Sequence, residues 1–337
     1  MTSPTPLKFL MPGWFSVVMG LCGLSLAWHR ASGLLGSMAD GIALVAGGLA
    51  ALVFVVLLVA SIVRASRYPA ALADDLKHPV RHAFVAAFPV AMLLLAAVGV
   101  ALFGVHPLLN ALWWLGALTQ LWATVWVLGH WLAPVSNATS GNTGLWPAVT
   151  PVLLIAVVGN VVAPLAGLPL GHETWSAVQM GIGTFFWPIV MGLILVRRIA
   201  HSPLPDRILP AWFITLAPPA VIGVVFTLFQ APQAVVLGIW GIAAFQLLWL
   251  LPLIKRIASQ PFGIAFWGLS FPMAAFATLT LRLAELKVDS GFETLGVLLL
   301  AVASVTILWL GFATVRGLRE GSLLAPEPIA SIQPVAA

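Results

Sequence analysis

Gly41-Ile42-Ala43-Leu44-Val45-Ala46-Gly47-Gly48-Leu49-Ala50-Ala51-Leu52-Val53-Phe54-Val55-Val56-Leu57-Leu58-Val59-Ala60-Ser61-Ile62-Val63 runs without one charged side chain until Arg64 closes it. A helix needs about 20 apolar residues to cross roughly 30 Å of hydrocarbon, so this stretch reads as a membrane-spanning helix. Its character extends to the whole chain. Of 337 residues, 15 are Lys or Arg, 10 are Asp or Glu, and 61% are hydrophobic; the mean hydropathy is +1.08. A soluble domain is about 25% charged, and this chain, at 7%, could not cover a water-facing surface. That excludes a soluble enzyme. Disorder needs the opposite composition, and a membrane barrel would alternate polar and apolar residues along short strands. The fold class is an all-α integral membrane protein.

The same ruler finds ten spans: Pro12–Trp28, Gly41–Val63, Ala83–Gly104, Leu108–Leu132, Pro147–Leu168, Trp175–Val196, Pro210–Phe229, Ala234–Ile254, Phe262–Leu281 and Thr294–Thr314. Cytoplasmic loops carry an excess of Lys and Arg. With the N-terminus inside, 12 basic residues fall in the inside segments and only Arg30, Arg282 and Lys287 outside. The expected organisation is a cytoplasmic N-terminal segment (1–11), a ten-helix transmembrane domain (12–320) and a disordered cytoplasmic tail (321–337) bearing Pro326, Pro328 and Pro334. The first apolar run lacks a small-residue cleavage site after it and reads as a retained helix rather than a signal peptide.

Prolines punctuate the odd-numbered spans: Pro12, Pro89, Pro151 with Pro164, Pro218 with Pro219, and Pro272; among the even spans only the sixth has a mid-span proline, Pro188. Phe88-Pro89-Val90-Ala91 echoes Phe271-Pro272-Met273-Ala274, and Gln120-Leu121 echoes Gln246-Leu247. Proline bends a helix and frees a carbonyl, a defect tolerated in lipid only where protein or a water-filled cavity covers it. The pattern predicts five helical hairpins whose kinked odd-numbered helices line a central pore inside five straighter ones.

The stretch Gly13-Trp14-Phe15-Ser16-Val17-Val18-Met19-Gly20-Leu21, together with His78-Pro79-Val80-Arg81 before Phe88-Pro89, Leu216-Ala217-Pro218 and Phe266-Trp267 before Ser270-Phe271, resembles the tellurite-resistance/dicarboxylate transporter (TehA) family. That family includes the plant slow-type anion channels, and the similarity runs from about Pro12 to Arg319. The resemblance implies a homotrimer in a bacterial inner membrane, one pore per protomer. It also implies a phenylalanine on helix nine, here Phe271, that plugs the pore. Ser16 and Met19 match pore-facing positions of helix one. The chain has Val18 where other members have a proline, which leaves the bend of helix one to Pro12 at its start.

The predicted span interiors hold no Asp, Glu, Lys or Arg. Intramembrane charges mark proton relays and tight ion sites, so their absence favours a passive conduit for chloride or nitrate over a pump. A carrier of tellurite, sulfite or C4-dicarboxylates such as malate is the alternative, and it would need a charge in the pore. No cofactor, metal or nucleic-acid partner is expected. Cys22 is alone, and no basic run interleaves with aromatics. His130 lies in a span, while His29, His106 and His172 lie at outer ends, so they do not form a haem or metal set. Asp74-Asp75 beside Lys77 reads as a solvated turn, and Asn137-Ala138-Thr139 as a glycosylation pattern on the wrong side of the membrane. No catalytic constellation is visible.

Overall fold

The computed structural model describes residues 6–132, 146–201 and 204–325. The Asn137-Ala138-Thr139 motif and the tail prolines lie outside the described residues. Those residues are all-helical, with no strand. The α-helices in chain order are α1 (Phe15–Arg30), α2 (Ser32–Leu35), α3 (Ser37–Arg67), α4 (Pro69–Lys77), α5 (Ala87–Phe103), α6 (Pro107–Leu132) and α7 (Leu153–Val157). They continue as α8 (Pro164–Gly167), α9 (Glu173–Ala200), α10 (Ala217–Leu228), α11 (Gln233–Leu250), α12 (Ile254–Ala258), α13 (Ser270–Glu285) and α14 (Gly291–Arg319).

Eight continuous helical stretches are long and apolar enough to cross a membrane: Ser37–Arg67, Arg81–Phe103, Pro107–Leu132, Glu173–Ala200, Asp206–Leu228, Gln233–Ala258, Ile264–Glu285 and Gly291–Arg319. The other two predicted spans fold differently. The first is the 16-residue α1, entered through a 3-10 turn at Pro12–Trp14. Val18 sits inside an unbroken helix. The fifth, expected to be one helix over Pro147–Leu168, is broken into a 3-10 turn at Trp146–Ala148, the five-residue α7, a 3-10 turn at Gly159–Val162 and the four-residue α8. Pro147, Pro151 and Pro164 remove backbone donors, and Gly159 and Asn160 are poor helix formers.

The proline-bearing stretches share one construction. Each opens in 3-10 geometry (Arg81–Ala86, Asp206–Leu216, Ile264–Leu269) and converts to α-helix just before its proline. Pro89, Pro218 with Pro219, and Pro272 all fall in the first turn of their α-helices. A first-turn N–H has no intrahelical partner, so proline costs little there. The expected kinks in continuous α-helices are therefore changes of helix type. Pro188, by contrast, lies within an uninterrupted α9.

Burial separates the two sets. In their most apolar windows, Arg81–Phe103, Asp206–Leu228 and Ile264–Glu285 have 67%, 89% and 67% of residues buried, whereas the other five long stretches have 22–39%. The outer set presents a continuous apolar belt, for example Val45, Leu52, Val55, Val59 and Ile62 on α3, as lipid-facing helices must. Inside it, α1 packs against α3, α5 and α13. Close approach to α13 rests on glycines: a Cβ at Gly20 would lie 2.6 Å from the Ser270 Cβ, and one at Gly23 would lie 3.1 Å from the Ala274 Cβ. Small residues let membrane helices approach in this way. Gly20→Leu should therefore destabilise the protein by about 1–3 kcal/mol, the usual cost of overpacking. Thermal unfolding in detergent, followed by tryptophan fluorescence, checks it; an unchanged midpoint would refute the close-packing argument.

Candidate functional site

The buried set encloses a cavity of about 1900 Å³. Its wall comes from the proline-bearing segments: Ser16 and Met19 on α1, Val90 on α5, Leu154, Val158 and Val162 of the broken segment, Pro218 and Val221 on α10, and Phe271 and Pro272 on α13. Thus Ser16, Met19, Pro218, Phe271 and Pro272 come together on one surface. Pro89 and Pro151 do not line it; both are buried within the packing around it. The wall is apolar, and its few hydroxyls are turned away. Ser16 donates through Oγ to the Gly13 carbonyl at 2.7 Å.

Phe271 is part of the lining. Gly23, Ala274 and Ala275, one turn further on, are buried and do not line the cavity. The Phe271 side chain is itself only 6% exposed. It lies against α1 where Gly23 has no side chain; a Cβ there would sit 3.0 Å from ring atom Cδ2. Gly23 therefore shapes the seat of this ring. Nothing in the sequence distinguishes it from the other glycines of the chain.

The opposite end of the cavity is charged. Lys8, Arg64, Arg81, Arg197 and Arg207 line it with Asp74, Asp75 and Asp206. The acids there are largely engaged: Asp206 accepts from Arg256 at 2.7 Å, and Asp75 accepts from both Arg64 at 2.6 Å and Arg81 at 2.8 Å. Lys8, Arg197 and Arg207 make no ion pair among the described residues, so the mouth is net positive. Here the sequence expectation for Asp74-Asp75 is corrected. The pair lies on α4 rather than in a turn, and while Asp74 is exposed, Asp75 is 2% exposed. Helical geometry points adjacent residues about 100° apart, so one carboxylate faces water and the other faces two guanidiniums. Burial, then the nearby Arg81, push the His78 imidazole below its ordinary value. Its Nδ1 accepts from the backbone N–H groups of Val80 and Arg81 at 3.1 and 3.2 Å.

A second polar layer lies behind the broken segment. Gln120 and Thr124 on α6, with Asn160 in the 3-10 turn and Gln179 on α9, are all buried and bonded to backbone carbonyls. Trp113 Nε1 donates to the Ala163 carbonyl at 2.8 Å. Of these, the sequence signalled only Gln120, as half of a repeated Gln-Leu pair. His130 places Nδ1 2.8 Å from the Trp126 carbonyl, and its ring is 5.3 Å from that of His82, a neighbour the sequence did not suggest. Among the described residues, no group of three or more His, Cys, Asp or Glu side chains could hold a metal ion.

Comparison with known proteins agrees with this geometry. A family model described as SLAC1, voltage-dependent anion channel, matches residues 10–315. The chain is similar to the tellurite resistance protein TehA homolog of Haemophilus influenzae, 27% identical over 280 residues, covering 82% of this chain and 81% of that protein. It is similar to the S-type anion channel SLAH2 of Arabidopsis thaliana, 23% identical over 235 residues, or 69% of this chain and 44% of that protein. A third relative is the guard cell S-type anion channel SLAC1 of Arabidopsis thaliana, 23% identical over 214 residues, 62% of this chain and 37% of that one. The matched regions thus span less than half the length of both plant channels.

Proposed function

The chain belongs to the SLAC1 voltage-dependent anion channel family, and from that premise we propose that it passes small monovalent anions such as chloride and nitrate passively across a membrane. One observation carries the reading. The cavity has a mouth rich in cations that make no ion pair among the described residues, an inner wall free of carboxylates, and the largely buried Phe271 ring on that wall. A cationic mouth concentrates anions. A wall without fixed charge binds them weakly enough to let them leave, and a hydrophobic constriction gates by excluding water.

In this reading the chain crosses the membrane ten times, with α1 and the broken segment completing the inner five, and the transmembrane unit spans residues 12–320. Phe271 is the gate, and Ser16, Met19, Pro89, Pro151, Pro218 and Pro272 line or shape the path. The charge bias supports placing both ends and the basic mouth on the cytoplasmic side. The homotrimer follows the resemblance. A carrier of tellurite, sulfite or C4-dicarboxylates is the second reading, supported by the tellurite-resistance name of the Haemophilus influenzae relative. It needs a cation at the depth of the constriction, whereas the cations near this cavity stand at its mouth.

Because an apolar lumen offers little to replace a hydration shell, weakly hydrated ions should pass best. In planar bilayers with symmetric and bi-ionic salts, nitrate permeability should exceed that of chloride by roughly two- to tenfold, with both far above potassium. Cation-selective current, or uptake into proteoliposomes that saturates and requires a proton gradient, would reject the channel reading.

A further inference from the structure

The broken inner segment poses an electrostatic difficulty for an anion path. Interrupting a helix strips hydrogen bonds from backbone carbonyls, and a bare carbonyl oxygen turned into a lumen attracts cations and repels anions. Leu154, Ile155, Val158 and Gly159 line the cavity along this segment. Neighbouring carbonyls of this segment are bonded by side chains instead, from behind by Gln120 and Thr124, which do not line the cavity, and at the mouth by Arg197, which does. Gln120 Nε2 donates to the carbonyls of Ile155 at 3.3 Å and Ala156 at 3.0 Å. The Thr124 hydroxyl, shared with its own helix, is 2.8 Å from the Ala156 carbonyl and accepts from Asn160 Nδ2 at 2.7 Å. Arg197 Nη1 donates to Val149 at 2.6 Å and reaches Pro147 at 3.5 Å. Gln120 and Thr124 are fully or nearly fully buried, at 0% and 2% exposure. Their donors therefore serve these carbonyls rather than solvent.

We propose that Gln120, Thr124 and Arg197 are selectivity-determining residues: donors on the outer helices α6 and α9 hold the carbonyl oxygens of the broken segment away from the lumen, so the wall offers an anion no repelling acceptor. The inference rests on reading the lumen as an anion path, and deepens it. The segment lines the pore because it is broken, and it suits anions because its freed carbonyls face outward. The same donors satisfy groups that would otherwise be buried and bare, which is itself stabilising. That structural role must be separated from the selective one.

The test uses the full chain carrying Phe271→Ala, so that current is measurable, in bilayers under a potassium chloride gradient. Thr124→Val is nearly isosteric and removes the donor, Thr124→Ser keeps it, and Gln120→Leu removes the amide. The chloride-over-potassium permeability ratio should fall about fivefold in Thr124→Val and Gln120→Leu and stay within about twofold in Thr124→Ser. A merely structural role would lower the amount of inserted protein without moving the reversal potential, and that result overturns the proposal. Arg197→Met, at the half-buried mouth, serves if the interior variants do not fold. Arg207→Met is its control, a cation lining the same cavity that bonds no carbonyl among the described residues. Arg197→Met should shift the reversal potential more than Arg207→Met; equal shifts would leave only a loss of charge and overturn the carbonyl argument. A parent already unselective before any outer-helix substitution would instead overturn the channel reading, and this inference with it.

Discussion

Phe271→Ala should convert a small basal anion current into a large one, with current per inserted protein rising about tenfold or more. The reason lies in how the ring is held. It lines the cavity yet is only 6% exposed, and it sits over Gly23 where α1 has no side chain to share the space. Removing the ring joins the cavity to whatever space the next turn offers, and waters can occupy a gap of that size. The proposed blockade acts by dewetting, not charge, so opening it should leave anion selectivity intact. A Phe→Ala change in a closed core costs about 3–5 kcal/mol. Here one side of the ring already faces the cavity, so the loss of stability should be smaller than that range. Phe271→Leu retains apolar bulk and should give an intermediate current. If a folded, inserted Phe271→Ala protein conducts no more than the parent, Phe271 is not the gate.

What could be read from the sequence follows from where each constraint acts. Lipid acts locally, residue by residue, so α3, α6, α9, α11 and α14 were visible as apolar runs. The ends of α3, α9 and α14 were underestimated. Gly41–Val63 extends to Ser37–Arg67, and Thr294–Thr314 to Gly291–Arg319, because terminal charged side chains can snorkel to the interface. The fifth span misled the ruler, since hydropathy counts Pro151, Gly159 and Asn160 without asking whether a helix tolerates them. Whether such a break survives depends on Gln120, Thr124 and Arg197, partners 32 to 50 residues away in sequence. Phe271 was named through resemblance rather than chemistry, being one phenylalanine among 18. Gly23 and Asp75 could not be singled out, because a seat for a ring and a clasp between guanidiniums exist only after folding.

Asp75→Ala should be the most destabilising single change at the mouth, costing about 3–5 kcal/mol, the usual penalty for removing one member of a buried ion pair. Arg64 and Asp75 have side chains only 5% and 2% exposed, so neither can turn to water when the other is lost. Arg64 also donates through Nε to the Lys8 carbonyl at 3.1 Å and through Nη2 to the Ala71 carbonyl at 3.3 Å. One guanidinium thus ties the N-terminal segment, the end of α3 and α4 together. Arg81, bound to the other Asp75 oxygen at 2.8 Å, opens the 3-10 turn that leads into α5 and the cavity wall. Loss of the carboxylate leaves two positive charges facing each other, and Arg81, 31% exposed, is the one able to move into water. The disturbance should therefore spread along the Arg81–Ala86 turn rather than into α3. Asp75→Asn keeps an acceptor but not the charge and should fall between. Pairing Asp75→Leu with Arg64→Met removes both members and should cost less than Asp75→Ala alone. Thermal midpoints of the four proteins in one detergent decide the matter. A double variant less stable than Asp75→Ala would mean that the clasp acts through packing and not through the buried charge.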